Sequence, residues 1–349
     1  MVRAWGGDEK QIAMGLGTGF VAQNAGKKSV VIDITTDDGA SLLRELVKTA
    51  DIFVENYRPG TMEDHGLDYP SLSNDNPELI YLSISAFGQN GPQGHRPGFD
   101  DVIQATSGFM SINQRGDGPI RTGGPVLDYA TGMHATSAVL AAVLLRQQTG
   151  EGQRIDIAMQ DVTMLLMNRH SSIAATTGNA IAPGTNRDAP LLGRYAVKDG
   201  HVMLAGYRSN HQRSILKALG MGEESELSAP ELQRRMPEIE AKVESALLKK
   251  TAAEWDTVFS KECVVAGGVK DLIEVLETGQ PAARELFTQV ESDYGDHQVT
   301  TAGYRINGSA FRPGTHVPRL GEHTKETLSQ LGYSEHDIDQ FVKDRIIYC

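Results

Sequence analysis

The N-terminal part of the chain alternates between the apolar patterns of strands and those of helices. Runs rich in β-branched and other apolar residues predict buried strands at residues 29–33, 51–56 and 78–85. Between the first two, apolar residues recur at helical spacing from Leu42 to Val47, behind acidic residues that suit a first helical turn. This alternation of strand and helix predicts an α/β fold with a mainly parallel sheet.

A further strand-to-helix junction follows a long loop. Residues 86–101 are rich in Gly and Pro, and such loops often carry function. Two helical stretches come next, at residues 102–112 and 128–148. Apolar and polar residues then alternate over 154–159, which predicts a strand, and a helical pattern begins at Gln160. The sequence therefore predicts a sharp corner between strand and helix at Gln160.

The second half of the chain indicates another domain. The segment IAPGTN at residues 181–186 has the composition of a loop, and a turn around Asp199 predicts a hairpin. Helical patterns dominate residues 210–276. We therefore expect a second, smaller domain at residues 189–306.

The end of the chain is expected to return to the first domain. From Asp293 onward the sequence is irregular until two amphipathic helices begin near residues 325 and 334. The predicted limits are thus a large domain at 1–188, the smaller domain at 189–306 and a returning segment at 307–349.

Charge and composition exclude several classes of protein. The 349 residues include 33 Lys and Arg against 45 Asp and Glu, and the net charge of −12 disfavours a dedicated nucleic-acid binder. Two cysteines, Cys263 and Cys349, provide neither a disulfide framework nor a thiolate metal site. The most apolar segment, 135–145, is shorter than the roughly 20 residues of a membrane helix, and the first residues show no signal-peptide pattern. We expect a cytoplasmic protein without a metal site.

Three short motifs suggest chemistry but have simpler explanations. GLGTGF at residues 15–20 has neither the G-x-G-x-x-G spacing nor the preceding strand of a dinucleotide site, so we interpret it as a flexible loop. Asp293, Asp296 and His297 could approach one metal ion, but acidic turn residues beside a single histidine are more typical of a solvated loop. Cys263, in the segment ECVVAGG, is expected to be a small buried apolar residue.

Asp161 is a stronger candidate for chemistry. It stands in the first turn of the helix that follows the predicted strand at 154–159. Unpaired backbone N–H groups and the helix dipole favour an ionised carboxylate at that position. Such a carboxylate could act as the nucleophile of an acyl transfer. Acidic residues are also common in first turns because they stabilise the helix, and the residues alone favour this simpler interpretation over a catalytic one.

Six segments occur in the order of a known family. They are VVIDITTDDG, VENYRPGTM, SAFGQNGP, DYATGMHA, TGEGQRIDIAMQD and PRLGEHT. With them the chain resembles the family III CoA-transferases, also called the CaiB/BaiF family, from about Gly7 to the C-terminus. Formyl-CoA transferase and carnitine CoA-transferase belong to this family.

The resemblance implies both a fold and an activity. The fold would combine a Rossmann-like large domain with a smaller α+β domain, in a ring-shaped chain that interlocks with a second copy as a homodimer. The activity would be acyl-CoA:carboxylate CoA transfer. Acyl-CoA and a small carboxylic acid would be the substrates, with no tightly bound cofactor and no metal.

The resemblance also implies the residues of the site. Asp161, in the AMQD segment, would attack the donor thioester to give an aspartyl mixed anhydride, and then carry CoA as an aspartyl thioester. Arg58 could pair with a CoA phosphate, and Lys27 and Lys28 would add positive charge nearby. The implied CoA-binding positions are Ile32, Asp33, Ile34, Thr35, Asn56, Tyr57, Arg58, Asp128, Tyr129, Ala130 and Thr131.

The chain departs from the family pattern in three places, and two alternatives to a CoA-transferase function stay open. The chain begins late relative to the family, so we expect its opening strand and helix to be absent, and a truncated, non-catalytic CoA-binding paralogue is one alternative. The segment GTNRDAPLLG at residues 184–193 replaces a glycine-rich loop, so formyl or oxalyl specificity is not supported. The other alternative is a 2-methylacyl-CoA racemase or isomerase. That branch places a histidine where this chain has Phe99, which cannot remove a proton.

Overall fold

The computed structural model describes residues 2–115, 118–180 and 187–349. The helices, in chain order, are a 3₁₀ turn (Val2–Ala4), α1 (Glu9–Ala13), α2 (Thr18–Asn24), α3 (Asp37–Val47), α4 (Thr61–Asp64), α5 (Tyr69–Asp75), α6 (Asp100–Thr106), α7 (Phe109–Ile112), α8 (Val126–Thr149), α9 (Met159–Leu166), α10 (Asn168–Thr177), α11 (Ser209–Ala218), α12 (Gly222–Ser225), α13 (Ala229–Leu247), α14 (Ala252–Lys261), α15 (Leu272–Glu277), α16 (Gln280–Ala283), α17 (Thr324–Gln330) and α18 (Glu335–Lys343). The strands are β1 (Val31–Ile32), β2 (Ile52–Glu55), β3 (Ile80–Ser85), β4 (Gln114–Arg115), β5 (Gly118–Pro119), β6 (Gln153–Ala158), β7 (Arg187–Ala189), β8 (Leu192–Ala196), β9 (His201–Ala205), β10 (Ala266–Gly268), β11 (Phe287–Ser292), β12 (Gly295–Thr300), β13 (Arg305–Ile306), β14 (Ser309–Ala310) and β15 (Ile347–Tyr348).

The chain forms two compact units. The first unit contains Met1–Ser107, Gly123–Leu166 and Thr278–Cys349, and the second contains Gly108–Thr122 and Met167–Glu277. These limits differ from the sequence-based domain limits at 189 and 306, which stay a prediction. Within the described ranges, no helix combines the length and the apolar character that a membrane span requires.

A parallel sheet organises the first unit. β3 lies between β2 and β6 and runs parallel to both, with Leu82 opposite Val54 on one side and Ile155 on the other. α8 and α9 cover one face, where Leu82, Ala135, Ile157 and Val162 form a buried cluster. The predicted α/β class with a parallel sheet is confirmed.

The predicted strand at residues 29–33 is shorter than expected and has a different partner. Only Val31 and Ile32 are in strand conformation, and they pair antiparallel with Tyr348 and Ile347 of β15. The partner therefore comes from the C-terminus rather than from the neighbouring β2. Such a pairing between distant segments cannot be inferred from a local apolar pattern. α3 begins directly afterwards, with the Thr36 side chain capping its first turn by accepting the Gly39 N–H at 3.0 Å.

The expectation of an irregular chain after Asp293 is wrong. β11 and β12 form a regular antiparallel hairpin whose turn contains Asp293. Val290 and Val299 of this hairpin pack in a buried cluster with Leu16 and Phe20 from the N-terminal helical segment. This packing explains why residues 287–300 belong to the first unit, although the sequence suggested the smaller domain.

The second unit is built on an antiparallel sheet. The strands lie in the order β10, β9, β8 and β7, and β8 and β9 form the hairpin that the sequence predicted. Residues from α11, α13 and α14 cover this sheet in a large buried core that includes Ile239, Trp255 and Phe259. The predicted loop IAPGTN lies outside the described residues.

Candidate functional site

A cavity of about 640 Å³ opens in the first unit at the carboxyl ends of β2, β3 and β6. Ligands of open α/β sheets commonly bind at this edge. The cavity is lined by Val2, Trp5, Gln23, Asn56, Tyr57, Arg58, Pro59, Ile84, Ser85, Ala86, Arg96, Pro97, Gly98, Phe99, Pro125, Asp128, Tyr129, Thr131, Gly132 and Met159.

The turn after β2 contributes three of the predicted CoA-binding residues. The Asn56 side-chain amide donates to the Ile84 carbonyl at 2.6 Å, and the Tyr57 N–H donates to the buried Glu55 carboxylate at 2.8 Å. These bonds fix the turn, while the Tyr57 ring stays exposed. Arg58 is exposed and has no ion-pair partner among the described residues. Its guanidinium is therefore available to an anion.

The start of α8 contributes three more predicted residues. Asp128, Tyr129 and Thr131 line the cavity. Ala130 instead packs against the buried cluster that contains Leu82 and Ile157. The Thr131 hydroxyl is buried and donates to the Leu127 carbonyl at 2.7 Å, so it supports the helix. Tyr129 keeps its ring accessible, and its hydroxyl accepts the Gln23 side-chain amide at 3.0 Å.

Acidic residues surround the first turn of α8. The buried Asp100 carboxylate accepts the N–H groups of Leu127 at 2.7 Å and Asp128 at 3.2 Å, and so caps this helix from α6. Burial raises the pKa of Asp128, and the neighbouring carboxylates of Asp100 and Asp101 raise it further. A negatively charged group of a ligand is therefore disfavoured next to Asp128 in this part of the cavity wall.

The predicted residues at the end of β1 do not line this cavity. Ile32 packs with Leu42 and residues of the C-terminal helices, and Ile34 packs beside α3. The Asp33 carboxylate accepts the Thr35 hydroxyl at 2.6 Å and the Thr35 N–H at 3.0 Å, and these bonds lower the pKa of Asp33. In the structure Ile32 ends β1, and Asp33, Ile34 and Thr35 lie in the turn into α3. Whether CoA contacts them stays a prediction.

Asp161 lies close to the cavity without lining it. Its helix, α9, begins where β6 ends, and Met159 in the same first turn is part of the cavity wall. The Gln160 N–H donates to the Ala86 carbonyl at 3.1 Å, which ties this turn to the end of β3. The Asp161 side chain is exposed. The predicted corner between strand and helix is confirmed.

Several lining residues were missed by the sequence reasoning. Trp5 and Gln23 belong to the N-terminal segment, and no local pattern indicates that this segment reaches the cavity. Arg96 lies in the Gly- and Pro-rich loop at residues 86–101. A positive charge in such a loop is a signal of a ligand-binding residue that the sequence does contain. The guanidinium carbon of Arg96 is 5.0 Å from the centre of the Phe87 ring. A guanidinium N–H of Arg96 donates to the Gln93 side-chain oxygen at 2.7 Å.

Two secondary candidates have ordinary structural roles. Asp293 pairs with Arg319, Asp296 accepts the Gln289 side-chain amide, and His297 bonds Ser292, so these three residues do not converge. The described residues contain no cluster of three or more metal-ligating side chains. Lys28 pairs with Glu326 at 2.7 Å, which reduces its availability to a ligand.

The expectation of a buried Cys263 is wrong. The residue is exposed and lies just after α14 in a left-handed conformation, with φ of 51°. The chain reverses at this point, so the side chain projects from a turn rather than from a core position.

Comparison with known proteins decides the family. A family model described as CoA-transferase family III matches residues 1–324. The chain belongs to this family. The CoA-transferase class predicted from the sequence is therefore confirmed.

Relatives of this family III CoA-transferase cover most of its length. A succinate–glutarate CoA-transferase of Agrobacterium fabrum is 33% identical over 94% of this chain and 85% of its own. A succinyl-CoA:mesaconate CoA-transferase of Haloarcula hispanica is 30% identical over 90% of this chain and 82% of its own. The crystal structure of a CaiB/BaiF family protein from Brucella suis is similar at a TM-score of 0.77, with 27% identity, over 90% of this chain and 84% of that one.

Proposed function

We propose that this protein transfers CoA from an acyl-CoA donor to a carboxylic acid, with Asp161 as the covalent carrier. The carboxylate of Asp161 attacks the donor thioester carbonyl, the carbon–sulfur bond breaks, and CoA leaves as a thiolate. The thiolate then attacks the aspartyl carbonyl of the mixed anhydride and releases the donor acid, which leaves an aspartyl-CoA thioester. The acceptor carboxylate attacks this thioester, and the two steps run in reverse.

The position of Asp161 supports this chemistry. It lies in the first turn of α9, two residues after the cavity-lining Met159, at the edge of the sheet where the cavity opens. The positive end of the α9 dipole lies at this turn, where it can stabilise negative charge. The exposed Asp161 side chain is also accessible to a substrate. This position next to the cavity wall is the observation that carries the proposal.

The cavity has groups suited to both parts of a CoA ester. Arg58 can pair with a phosphate of CoA, as the family resemblance implied. Apolar and aromatic residues such as Tyr57, Phe99 and Met159 can contact the uncharged part of the ester. CoA would be bound as a substrate in this cavity, without a further cofactor.

The names of the relatives suggest a class of acid. Succinate, glutarate and mesaconate are short dicarboxylic acids, and each appears in the name of a relative. We extend this class to the present protein. Arg96, which lines the cavity, offers a charge for the carboxylate that does not react.

The working unit in this proposal is a homodimer. Met133, Leu140 and Leu144 are 60–68% exposed on α8, at positions that share one helical face. A row of exposed apolar residues on one helix is typical of a protein–protein interface. A second copy of this chain is the proposed partner, in agreement with the family resemblance.

An exchange experiment tests the function. The protein is mixed with succinyl-CoA and glutarate, and new CoA esters are followed by mass spectrometry. We expect glutaryl-CoA and free succinate in equal amounts, without ATP or metal. Absence of exchange, while CoA esters still bind in calorimetry, would indicate the non-catalytic CoA-binding protein instead.

A separate incubation distinguishes a racemase or isomerase. A 2-methylacyl-CoA is incubated in deuterated water without an acceptor acid, and its α-hydrogen is monitored by NMR. Phe99 is 75% exposed in the cavity wall and has no group that can accept a proton. We therefore expect no deuterium at the α-carbon. Rapid incorporation, together with no exchange in the mixture of succinyl-CoA and glutarate, would favour the racemase.

A further inference from the structure

The glycine-rich segment at residues 15–19 supports the N-terminal turn and is not a ligand site. The Gly17 N–H donates to the Arg3 carbonyl at 2.9 Å, and the Gly19 N–H donates to the Trp5 carbonyl at 2.9 Å. These N–H groups are therefore not available to a phosphate, and the interpretation of GLGTGF as a flexible loop is wrong. A different part of the first unit has unused hydrogen-bond donors.

A second cavity, of about 240 Å³, lies on the other face of the parallel sheet. Tyr81 and Ser83 of β3 line this cavity, whereas Leu82 between them packs on the face that α8 and α9 cover. In the register of the sheet, Glu55 of β2 lies opposite Ser83, and Arg154 of β6 lies opposite Tyr81. Polar and charged side chains therefore form the floor of the second cavity.

The acidic residues of the second cavity already have partners. The Glu55 carboxylate is buried and accepts the Tyr57 N–H at 2.8 Å. The Asp68 carboxylate accepts the Ser71 N–H at 3.3 Å and so caps α5. Glu63 of α4 is exposed to solvent. The acceptors that line this cavity are thus satisfied by backbone N–H groups or by water.

Three donors that line the second cavity lack such partners. The side-chain amide nitrogen of Gln89 is buried and has no hydrogen-bond partner among the described residues. Arg58 and Arg154 also line the cavity, and neither has an ion-pair partner in the part of the chain that the structure describes. Because a buried donor without an acceptor costs free energy, the Gln89 amide calls for an acceptor from outside the chain.

Two of these donors lie on the side of β6. The Gln89 backbone N–H donates to the Asp156 carboxylate of β6 at 3.1 Å, two residues from Arg154 on the same strand. Burial raises the pKa of Tyr81, Glu55 and Asp68 raise it further, and the Arg154 guanidinium partly offsets them. The charge of Arg154 therefore acts on the floor of the second cavity, although this residue is exposed.

We propose that the second cavity binds a small oxyanion, a carboxylate or a phosphate, through the Gln89 amide and the guanidinium groups of Arg154 and Arg58. A guanidinium offers paired N–H donors that match two oxygens of such an anion. The volume of about 240 Å³ equals that of about eight water molecules at roughly 30 Å³ each, which is enough for a phosphate or a short carboxylic acid.

Arg58 connects this site to the main cavity, because it lines both. An anion in the second cavity would attract the Arg58 guanidinium and leave less positive charge for a CoA phosphate. Occupancy of the second cavity should therefore weaken the binding of CoA esters. This consequence rests on the proposed function, whereas the oxyanion site itself does not.

Calorimetry without any CoA ester tests the site. Sodium phosphate, and separately sodium succinate, are titrated into the wild type, Arg154→Gln, Gln89→Leu and Arg194→Gln. Arg194 is an exposed arginine of the second unit, so Arg194→Gln is the matched control. We expect saturable binding of at least one anion to the wild type and the control, and binding at least about tenfold weaker in the other two variants.

Gln89→Leu also shows whether a loss of binding is a loss of fold. Leucine is similar in size and removes the unpaired donor, so we expect this variant to melt no lower than the wild type when no anion is present. Equal anion binding by all four proteins would place the anion elsewhere and refute the site. Absence of binding of both anions to the wild type at millimolar concentrations would refute it as well.

The affinity for succinyl-CoA tests the connection through Arg58. It is measured with and without the bound anion, at an ionic strength kept constant with sodium chloride. We expect the anion to raise the Kd several-fold in the wild type and to leave it constant in Arg154→Gln. An equal rise in both proteins would mean direct competition in the main cavity and would refute the connection. Anion binding without any binding of succinyl-CoA would refute the proposed function and leave the oxyanion site standing.

Discussion

The Asp100 carboxylate accepts the backbone N–H of Asp128 at 3.2 Å, so that a buried acidic residue of α6 holds an acidic residue of α8 in the cavity wall. The bond caps the first turn of α8 and fixes the position of Asp128. It also brings two carboxyl groups close together, which is one reason why the pKa of Asp128 is raised.

This relationship predicts a pH-dependent effect of Asp128→Asn on stability. Because its pKa is raised in the folded protein, Asp128 binds its proton more tightly when folded than when unfolded. The native state is therefore destabilised as the pH rises from the ordinary carboxyl range, at about 3.9, through the raised value. We expect Asp128→Asn to melt at a higher temperature than the wild type at pH 7, with the difference closing toward pH 4.

Thermal melting over this pH range checks the prediction. Glu151→Gln removes an exposed carboxylate from the loop before β6 and serves as the control, with little change in melting temperature at any of these pH values. A lower melting temperature for Asp128→Asn at pH 7 would contradict the account.

Arg58→Ala should weaken the binding of every acyl-CoA donor. A guanidinium contact to a CoA phosphate contributes roughly 1.5–3 kcal/mol as a charge-assisted hydrogen bond. We therefore expect the KM for all donors to rise on the order of tenfold to a hundredfold, while the KM for the acceptor acid stays nearly constant. Added salt should weaken the wild type more than the variant, because the lost contact is ionic.

Lys28→Ala is the matched control for Arg58→Ala. Lys28 is paired with Glu326, whereas Arg58 has no ion-pair partner in the described ranges of the chain. Removal of Lys28 should change donor affinity only slightly. If both variants raised the donor KM equally, the cause would be the loss of positive charge in general, and a specific contact of Arg58 would be refuted.

The apolar face of α8 predicts how the dimer can be broken. Leu140→Glu would place a charge in the proposed interface, where no solvent or cation compensates it. We expect light scattering to give twice 37.8 kDa for the wild type and a lower mass or aggregation for Leu140→Glu. Leu248→Glu, at a residue of the second unit that is similarly exposed, should leave the mass unchanged. A wild-type protein that is active as a monomer would refute the proposed assembly.

Asp161→Asn should abolish transfer without unfolding the protein. The amide keeps the size of the side chain but cannot attack a thioester as a carboxylate does. We expect a loss of at least about a thousandfold in kcat, with an unchanged circular dichroism spectrum. We expect the fold to be unchanged because the Asp161 side chain is exposed and makes no hydrogen bond or ion pair among the described residues. Transfer at the normal rate by Asp161→Asn would remove this residue from the mechanism.

The elements that the sequence predicted are those with strong local patterns. β3 is buried along nearly its whole length, and its apolar run is visible without a structure. The hairpin of β11 and β12 was missed because only Val290 and Val299 are buried in it, which leaves too weak an alternation. β1 was predicted too long, since its partner β15 is at the other end of the chain.

Part of the cavity wall lies at positions that the sequence singled out. Asn56, Tyr57 and Arg58 follow a predicted strand end and line the cavity. Their contact with CoA stays a prediction. Trp5 and Gln23 could not be predicted, because they reach the cavity only through packing of the N-terminal segment on the distant hairpin of β11 and β12. Local sequence patterns therefore locate the residues at the edge of the sheet. The remaining residues of the cavity wall are brought there by packing between segments that are distant in the sequence.

Oxygen-18 labelling tests the role of Asp161 most directly. In the proposed reaction, an acceptor oxygen becomes the bridging oxygen of the mixed anhydride, and it remains on Asp161 when CoA thiolate attacks the acyl carbonyl. The protein is therefore incubated with succinyl-CoA and glutarate labelled in both carboxylates, digested, and analysed by mass spectrometry. The account predicts oxygen-18 in the peptide that contains Asp161, localised to that side chain, and none when succinyl-CoA is omitted. New glutaryl-CoA formed while this peptide stays unlabelled would contradict it.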